Sequence, residues 1–103
     1  MKKLHHPSIN DIKLSSVLHA LSDSTRVNII KQLNENGPKA CGTFDFNIAK
    51  SSASHHFRVL RESGIIFMEQ DGVRILNKLR KDDLDELFPG LLDIIFNVPE
   101  DRI

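Results

Sequence analysis

Between residues 50 and 62 the chain gathers its most reactive side chains: Lys50, Ser51, Ser52, Ser54, His55, His56, Arg58 and Arg61. Ser54 beside His55 suggests a nucleophile with its base, and His55-His56 suggests two metal ligands. Helical geometry argues against both. Ala53, Phe57 and Leu60 recur at i, i+4 and i+7, so Ser51 to Glu62 reads as a helix with one narrow apolar face. Consecutive helix residues diverge by about 100°, so Ser54 and His55 point apart and no third group orients the imidazole. For the same reason the two histidines do not easily chelate one ion. Ser51, Ser52, His55, Arg58 and Glu62 lie opposite the apolar stripe, and the exposed first turn holds only small and polar side chains. A helix end of that kind can approach base edges in a DNA major groove. His55 reads as a DNA contact. His56, nearer the apolar side, reads as a packed or hydrogen-bonded ring. The plainer alternative is a solvated basic face, the usual fate of charge runs.

Little other chemistry is on offer. There is no glycine-rich phosphate loop and no clustered carboxylate dyad, and the chain is expected not to be an enzyme. Zinc takes about four N, S or O ligands, whereas His5, His6, His19 and Cys41 have no tight spacing, so neither metal nor other cofactor is expected. Cys41 is the only cysteine, which excludes an internal disulfide and fits a reducing, cytoplasmic setting. It reads either as a plain buried cysteine or as a redox or electrophile sensor. The second reading needs a thiol pKa lowered by Lys39 or by a helix N-terminus. Phe44 and Phe46 read as core.

These groups need elements to carry them. A chain of 103 residues suits one domain, expected over residues 9–97, with residues 1–8 as a flexible arm and 98–103 as a tail. Ile9, Ile12, Leu14, Val17, Leu18 and Leu21 repeat at helical spacing. Asp23 is a good N-cap for a second helix along Val27, Ile29, Ile30 and Leu33, which Gly37 and Pro38 end. Residues 39–50 are ambiguous between a short irregular helix around 40–46 and an extended stretch. Ser51 or Ser52 caps the next helix and Gly64 stops it. Ile65 to Glu69 and Val73 to Asn77 read as strands flanking Gln70-Asp71-Gly72, and Asp-Gly is a strong hairpin signal. Asp82 to Asn97 is helical again, with Pro89 expected to kink or restart it as a first-turn residue. The fold class is mainly α with a β-hairpin wing, in the order α-α-α-α-β-β-α.

Formal net charge is zero, which on its face speaks against nucleic acid. The distribution is uneven. Residues 1–81 hold 13 Lys or Arg against 7 Asp or Glu, and residues 82–103 hold one base against seven acids. A basic body and an acidic, apolar tail suggest two tasks, with chance clustering as the alternative. The apolar surface of the tail is wide for so small a domain, and burial against a second copy of the chain is its expected use. No stretch approaches the roughly 18 apolar residues of a membrane span, and the basic start lacks a signal peptide's apolar region.

Two phrases match a known pattern. Leu21-Ser22-Asp23-Ser24-Thr25-Arg26-Val27-Asn28-Ile29-Ile30 resembles the "L-x-D-P-T-R-x-x-I-L" opening of the arsenic-repressor (ArsR/SmtB-like) family. Ser54-His55-His56-Phe57-Arg58-Val59-Leu60-Arg61-Glu62-Ser63-Gly64-Ile65-Ile66 resembles its "S-H-H-L-x-V-L-R-x-A-G-L-V". The resemblance covers about residues 10–97. It implies a winged helix-turn-helix homodimer that represses transcription and often releases DNA on sensing an effector. Lys50, Ser51, Ser52, Ser54, His55 and Arg58 would then be recognition-helix contacts. Arg74, with Gln70 and Gly72, would form the wing, and Arg61 would meet a phosphate or pair with an acid. Ile9, Ile12, Leu18, Leu87, Leu91, Leu92 and Ile95 would form the dimer interface. Partners would be a pseudo-palindromic DNA operator and a second copy, with no membrane. Ser24 replaces the usual Pro. Gly42 to Ala49 departs from the family's usual helix before the recognition helix, and the Cys-x-Cys of metal-responsive members is missing. The rival reading is a winged-helix protein-interaction module whose acidic tail recruits a partner.

Overall fold

The computed structural model describes residues 2–45 and 48–103. Helix α1 spans Leu14–Ala20 and α2 spans Ser24–Asn36. The helix expected from Ile9 is interrupted. A single 3-10 turn, Ile9–Asp11, gives way to extended backbone at Ile12 and Lys13 before α1 begins. The break lets Ile12 turn inward, where it is only 8% exposed. Asp23 starts α2 as expected, its Oδ1 accepting from the backbone N–H of Thr25 at 2.8 Å and of Arg26 at 3.2 Å. Gly37 ends α2 at φ 77°.

The ambiguous stretch resolves as mostly extended among the described residues. Strand β2 is Lys39–Ala40 and a 3-10 turn covers Cys41–Thr43. Among the described residues no α-helix stands there, and the short irregular helix of the order is the single 3-10 turn. The cause lies in the side chains. Gln32 of α2 brackets the backbone of Asp45, Nε2 donating to its carbonyl and Oε1 accepting from its N–H, both at 3.0 Å. Phe44 is buried, edge-on to Phe57 at 5.1 Å. Phe46 lies outside the described residues.

Helix α3 is Lys50–Glu62, followed by strands β3 (Ile66–Asp71) and β4 (Arg74–Leu79). The hairpin loop is Gly72-Val73 rather than the Gln70-Asp71-Gly72 expected, since Gln70 and Asp71 are paired in β3, with Gly72 at φ 65°. A positive φ at the first loop residue matches the twist of antiparallel strands. The acidic tail carries two helices, α4 (Lys81–Leu87) and α5 (Leu91–Phe96). The restart at Pro89 is as expected, but Pro89 stands before the helix, because Gly90 in a left-handed conformation is the N-cap.

The sheet is antiparallel and four-stranded, in the order β1-β3-β4-β2. Strand β1 is Lys2–Lys3, paired with Gln70 and Glu69. The segment expected as a loose arm is thus laid along the sheet. Val17, Ala20, Ile29, Ile30, Leu33, Phe57, Leu60, Ile65, Ile66, Leu84 and Leu92 form the core between helices and sheet. Among the described residues, no helix is long and apolar enough to cross a membrane.

Candidate nucleic-acid interface

The placement of α3 begins with a charged residue on an apolar stripe. Arg26 falls in helical phase with Ile29, Ile30 and Leu33 and is 7% exposed. Its Nε donates to the Ala20 carbonyl at 2.6 Å and its Nη2 to that of His19 at 3.4 Å. Those carbonyls close α1, where the helix dipole favours a cation. Its Nη1 lies 3.1 Å from His56 Nδ1 on α3. A guanidinium only donates, so His56 accepts there. One side chain therefore ties α1, α2 and α3 together. Asp23 completes the cluster, with Oδ1 3.9 Å from His56 Nδ1. Burial would raise the Asp23 pKa, but the Arg26 and Thr25 N–H donors outweigh it and hold the carboxyl below its ordinary value. His56 is the hydrogen-bonded ring expected.

The C-terminal end of α3 is locked as well. The N–H of Ile65 reaches the Leu60 carbonyl at 3.0 Å and that of Gly64 the Arg61 carbonyl at 3.1 Å. This paired closure needs a left-handed residue, and Gly64 supplies it at φ 89°. A Cβ on Gly64 would meet Ile12 Cγ1 at 2.5 Å. Glycine is thus required twice over, for its dihedral and for its missing side chain.

With both anchors set, the opposite face of α3 is free. Lys50, Ser51, Ser52, Ser54, His55 and Arg58 are all exposed. Arg58 Nη2 lies 3.5 Å from His55 Nδ1. The N-cap is Ala49, not Ser51 or Ser52, and it makes no side-chain cap. The first-turn N–H groups of α3 are left without a cap from that side chain, in the arrangement that favours a phosphate oxygen.

The structure puts Gln70, Gly72 and Arg74 together at the hairpin tip, all exposed. Arg74 Nη2 is 3.9 Å from Asp71 Oδ2, and Gln70 Nε2 reaches the Gly72 carbonyl at 3.4 Å. Val73, expected inside a strand, is fully exposed in the loop. Arg61 is half-buried beside this face. Its Nη1 donates to the His5 carbonyl at 2.6 Å, a partner that neither expectation named.

Three other groups differ from expectation. Ile12 and Leu92, expected in a dimer interface, are core residues at 8% and 1% exposure. Leu87, Leu91 and Ile95 are partly buried against the core. Leu18 remains exposed, and Leu14 and Ile94 join it. Cys41 is half-buried, with Asn77 Nδ2 3.2 Å from its Sγ. Burial pushes its thiol pKa up despite that contact, the opposite of what a thiolate sensor needs. The acids of the tail are partly consumed internally. Asp83 pairs with Arg80, Asp85 with Lys81 and Glu100 with Lys31. Among the described residues, no three His, Cys, Asp or Glu side chains come together as a metal site would require.

Sequence reasoning missed the positioning role of Arg26 and the approach of Asp23 to His56. Arg26 did carry a signal, since it is a charge at the phase of the buried stripe. Nothing local marked its contact with His56, thirty positions away.

Residues 23–66 match the family described as "Bacterial regulatory protein, arsR family". That span runs from the Asp23 cap through α3 to the first residue of the wing. The chain is also similar to the HTH-type transcriptional regulator YceK of Bacillus subtilis (strain 168). The two are 34% identical over 84 residues, which is 79% of this chain and 84% of that protein. With a helix exposed along one polar face, a hairpin wing and these relatives, the chain belongs to the arsR family and is a DNA-binding transcriptional regulator of winged helix-turn-helix fold.

Proposed function

We propose that the protein is a homodimeric repressor that acts in the cytoplasm and covers a pseudo-palindromic operator. The observation that carries this reading is the two-sided character of α3. One side is fastened by Arg26, Phe57 and Leu60, and the other presents Lys50, Ser51, Ser52, Ser54, His55 and Arg58 to solvent. Short donors at the helix start read base edges, while Lys and Arg hold phosphates and set the register. Arg74, Gln70 and Gly72 bring the wing to the neighbouring backbone. Exposed Leu14 and Leu18 on α1 and Ile94 on α5 leave apolar surface on the terminal helices. Joining two copies there, together with Ile9, Leu87, Leu91 and Ile95, sets two reading helices about one turn of DNA apart. Repression follows by occlusion of polymerase. An effector releases the DNA if it favours the DNA-incompetent dimer by about 1–3 kcal/mol.

The test is binding of the purified protein to the DNA just upstream of its own gene and to random duplex, over a salt series, with the mass of the complex measured by sedimentation. Tight, sequence-preferring, salt-sensitive binding by two chains is expected. A monomer on the DNA, or equal affinity for both duplexes, counts against the reading.

A further inference from the structure

Only Ser63, Gly64 and Ile65 join the end of α3 to the start of β3. So short a joint fixes where the hairpin begins. It does not by itself fix the angle at which the hairpin leaves. Beyond Met68 the strand moves away from the core, with Glu69 half-exposed and Gln70 and Asp71 exposed. A two-stranded ribbon is marginal without support, so the pose of its tip depends on what braces its base.

Four successive residues near the N-terminus bridge the joint. Leu4 packs against the core. The His5 carbonyl accepts from Nη1 of Arg61, in the last turn of α3, at 2.6 Å. His6 Nε2 accepts from the Met68 N–H of β3 at 2.9 Å, so a side chain serves as the acceptor for that backbone donor. A ring nitrogen that accepts is unprotonated, which makes this a contact of neutral His6. The Pro7 carbonyl accepts from Arg80 Nη1 at 2.8 Å. Arg80 follows the last residue of β4, is 5% exposed, and also gives its Nε to Asp83 of α4 at 3.0 Å. Phe67, on the outward side of β3 and 41% exposed, is touched twice. The His6 ring stands edge-on to it with 5.0 Å between centroids, and the Arg80 guanidinium lies 4.4 Å from its centroid. Residues 4–7 thus reach α3, the first strand of the hairpin and the residue just after its second strand.

We propose that residues 4–7 are a strap that sets the pose of the hairpin against α3 for DNA binding, with His6, Arg61 and Arg80 as positioning residues that do not themselves touch DNA. The proposal rests on the reading of α3 and the hairpin as DNA contacts. Two contacts on one rigid body reinforce each other, because the first holds the second at high effective concentration. That gain is lost when the geometry between them is loose. The strap therefore acts on DNA through Arg74 at the hairpin tip, and Arg61 has a task other than meeting a phosphate.

The test is a double-mutant cycle on the full chain. Affinity for the upstream fragment and for random duplex is measured over a salt series, at a temperature where thermal unfolding shows every variant folded. The variants are Arg74→Ala, His6→Leu, His6→Gln and Arg61→Met, with Arg74→Ala also placed on His6→Leu and on Arg61→Met. Loss of the Arg74 phosphate contact lowers the salt slope by about 0.9 per chain and costs roughly fivefold in affinity per chain at the low-salt end. His6→Leu and Arg61→Met should each reproduce most of that loss, and Arg74→Ala added to either should cost little more. His6→Gln, which keeps an acceptor near the Met68 N–H, should bind as the parent does. A lost side chain that merely weakened the fold would not change what Arg74→Ala costs. Parent-like binding by His6→Leu while Arg74→Ala is weakened would overturn the strap and leave the hairpin reading intact. So would losses that multiply in full, which for Arg61 would mean a phosphate contact of its own. An Arg74→Ala protein with unchanged affinity and slope would bring down the hairpin reading, and the strap with it.

Discussion

Helix α3 and the hairpin are held by different means. Helix α3 is anchored at its middle by the Arg26–His56 contact, along its inner face by Phe57 and Leu60, and at its end by the Gly64 closure. The hairpin is anchored at its base, where the Arg80 N–H meets the Ile65 carbonyl at 2.9 Å and Ile66 and Met68 enter the core, and along its edges, where β1 pairs with β3, His6 takes the Met68 N–H and β2 pairs with β4. Its tip, from Gln70 to Arg74, is exposed throughout. Reading base edges demands a fixed register, because a hydrogen bond loses most of its value over a fraction of an ångström. Holding phosphates tolerates more play, since charge attraction falls off gradually. On the proposed function, the closely held helix carries the short Ser and His donors and the exposed hairpin tip carries the flexible Arg74.

That contrast can be broken at its strongest point first. Gly64→Ala forces a Cβ into Ile12 and a side chain into a left-handed dihedral, and should destabilise the fold by about 2–4 kcal/mol. The check is thermal unfolding, where a midpoint drop of roughly 10 °C or more is expected; an unshifted midpoint would show that α3 is not closed as described. Next comes Arg26→Met, which keeps the volume but strands the Ala20 carbonyl and removes the donor to His56 Nδ1. We expect a loss of about 2–3 kcal/mol in urea unfolding, with weaker DNA binding although Arg26 is buried. Unimpaired binding by a destabilised protein would mean that α3 keeps its pose without the tie.

Smaller effects sharpen the same comparison. Asp23→Ala removes the α2 cap and should cost about 1 kcal/mol. Because the Asp23 pKa is depressed in the fold, its contribution is complete above the ordinary 3.8 and is lost as pH falls through the lowered value. A stability difference between parent and variant that persists at pH 2 would contradict this. The slightest effect belongs to His6, whose Nε2 accepts from the Met68 N–H. Burial first, then the nearby Arg61 and Arg80, lower the His6 pKa below 6.5, against a hydrogen bond to the Leu4 backbone that raises it. The acceptor role of His6 is therefore intact above pH 6.5 and fades as pH falls through the lowered value. Hydrogen exchange at the Met68 amide, corrected for intrinsic rates, should quicken in that window while α3 amides hold steady. Equal quickening in both would mean that the wing and the helix loosen together.

Much of this was legible in local patterns. Asp23 as a cap, Gly37 and Gly64 as stops, the hairpin around Gly72 and the free face of α3 follow from side-chain types at short spacing. Such features depend on backbone hydrogen bonds a few residues apart, which the chain encodes locally. The family phrases added the winged helix-turn-helix fold that the 23–66 match supports. Residues 39–45 were not legible, because Gln32 and Phe57, distant in the chain, decide their course.

By itself the sequence determined the helical periodicity, the hairpin and the placement of small polar residues at the start of a basic helix, since each is a matter of neighbours three or four positions apart. Only the tertiary structure decided that Arg26 faces inward to His56, that Ile12 and Leu92 are spent on the core, that Cys41 is half-buried against Asn77, and that the first residues pair along β3. Those outcomes depend on which surfaces meet, and burial, charge pairing and sheet edges take their meaning from groups far apart in the chain.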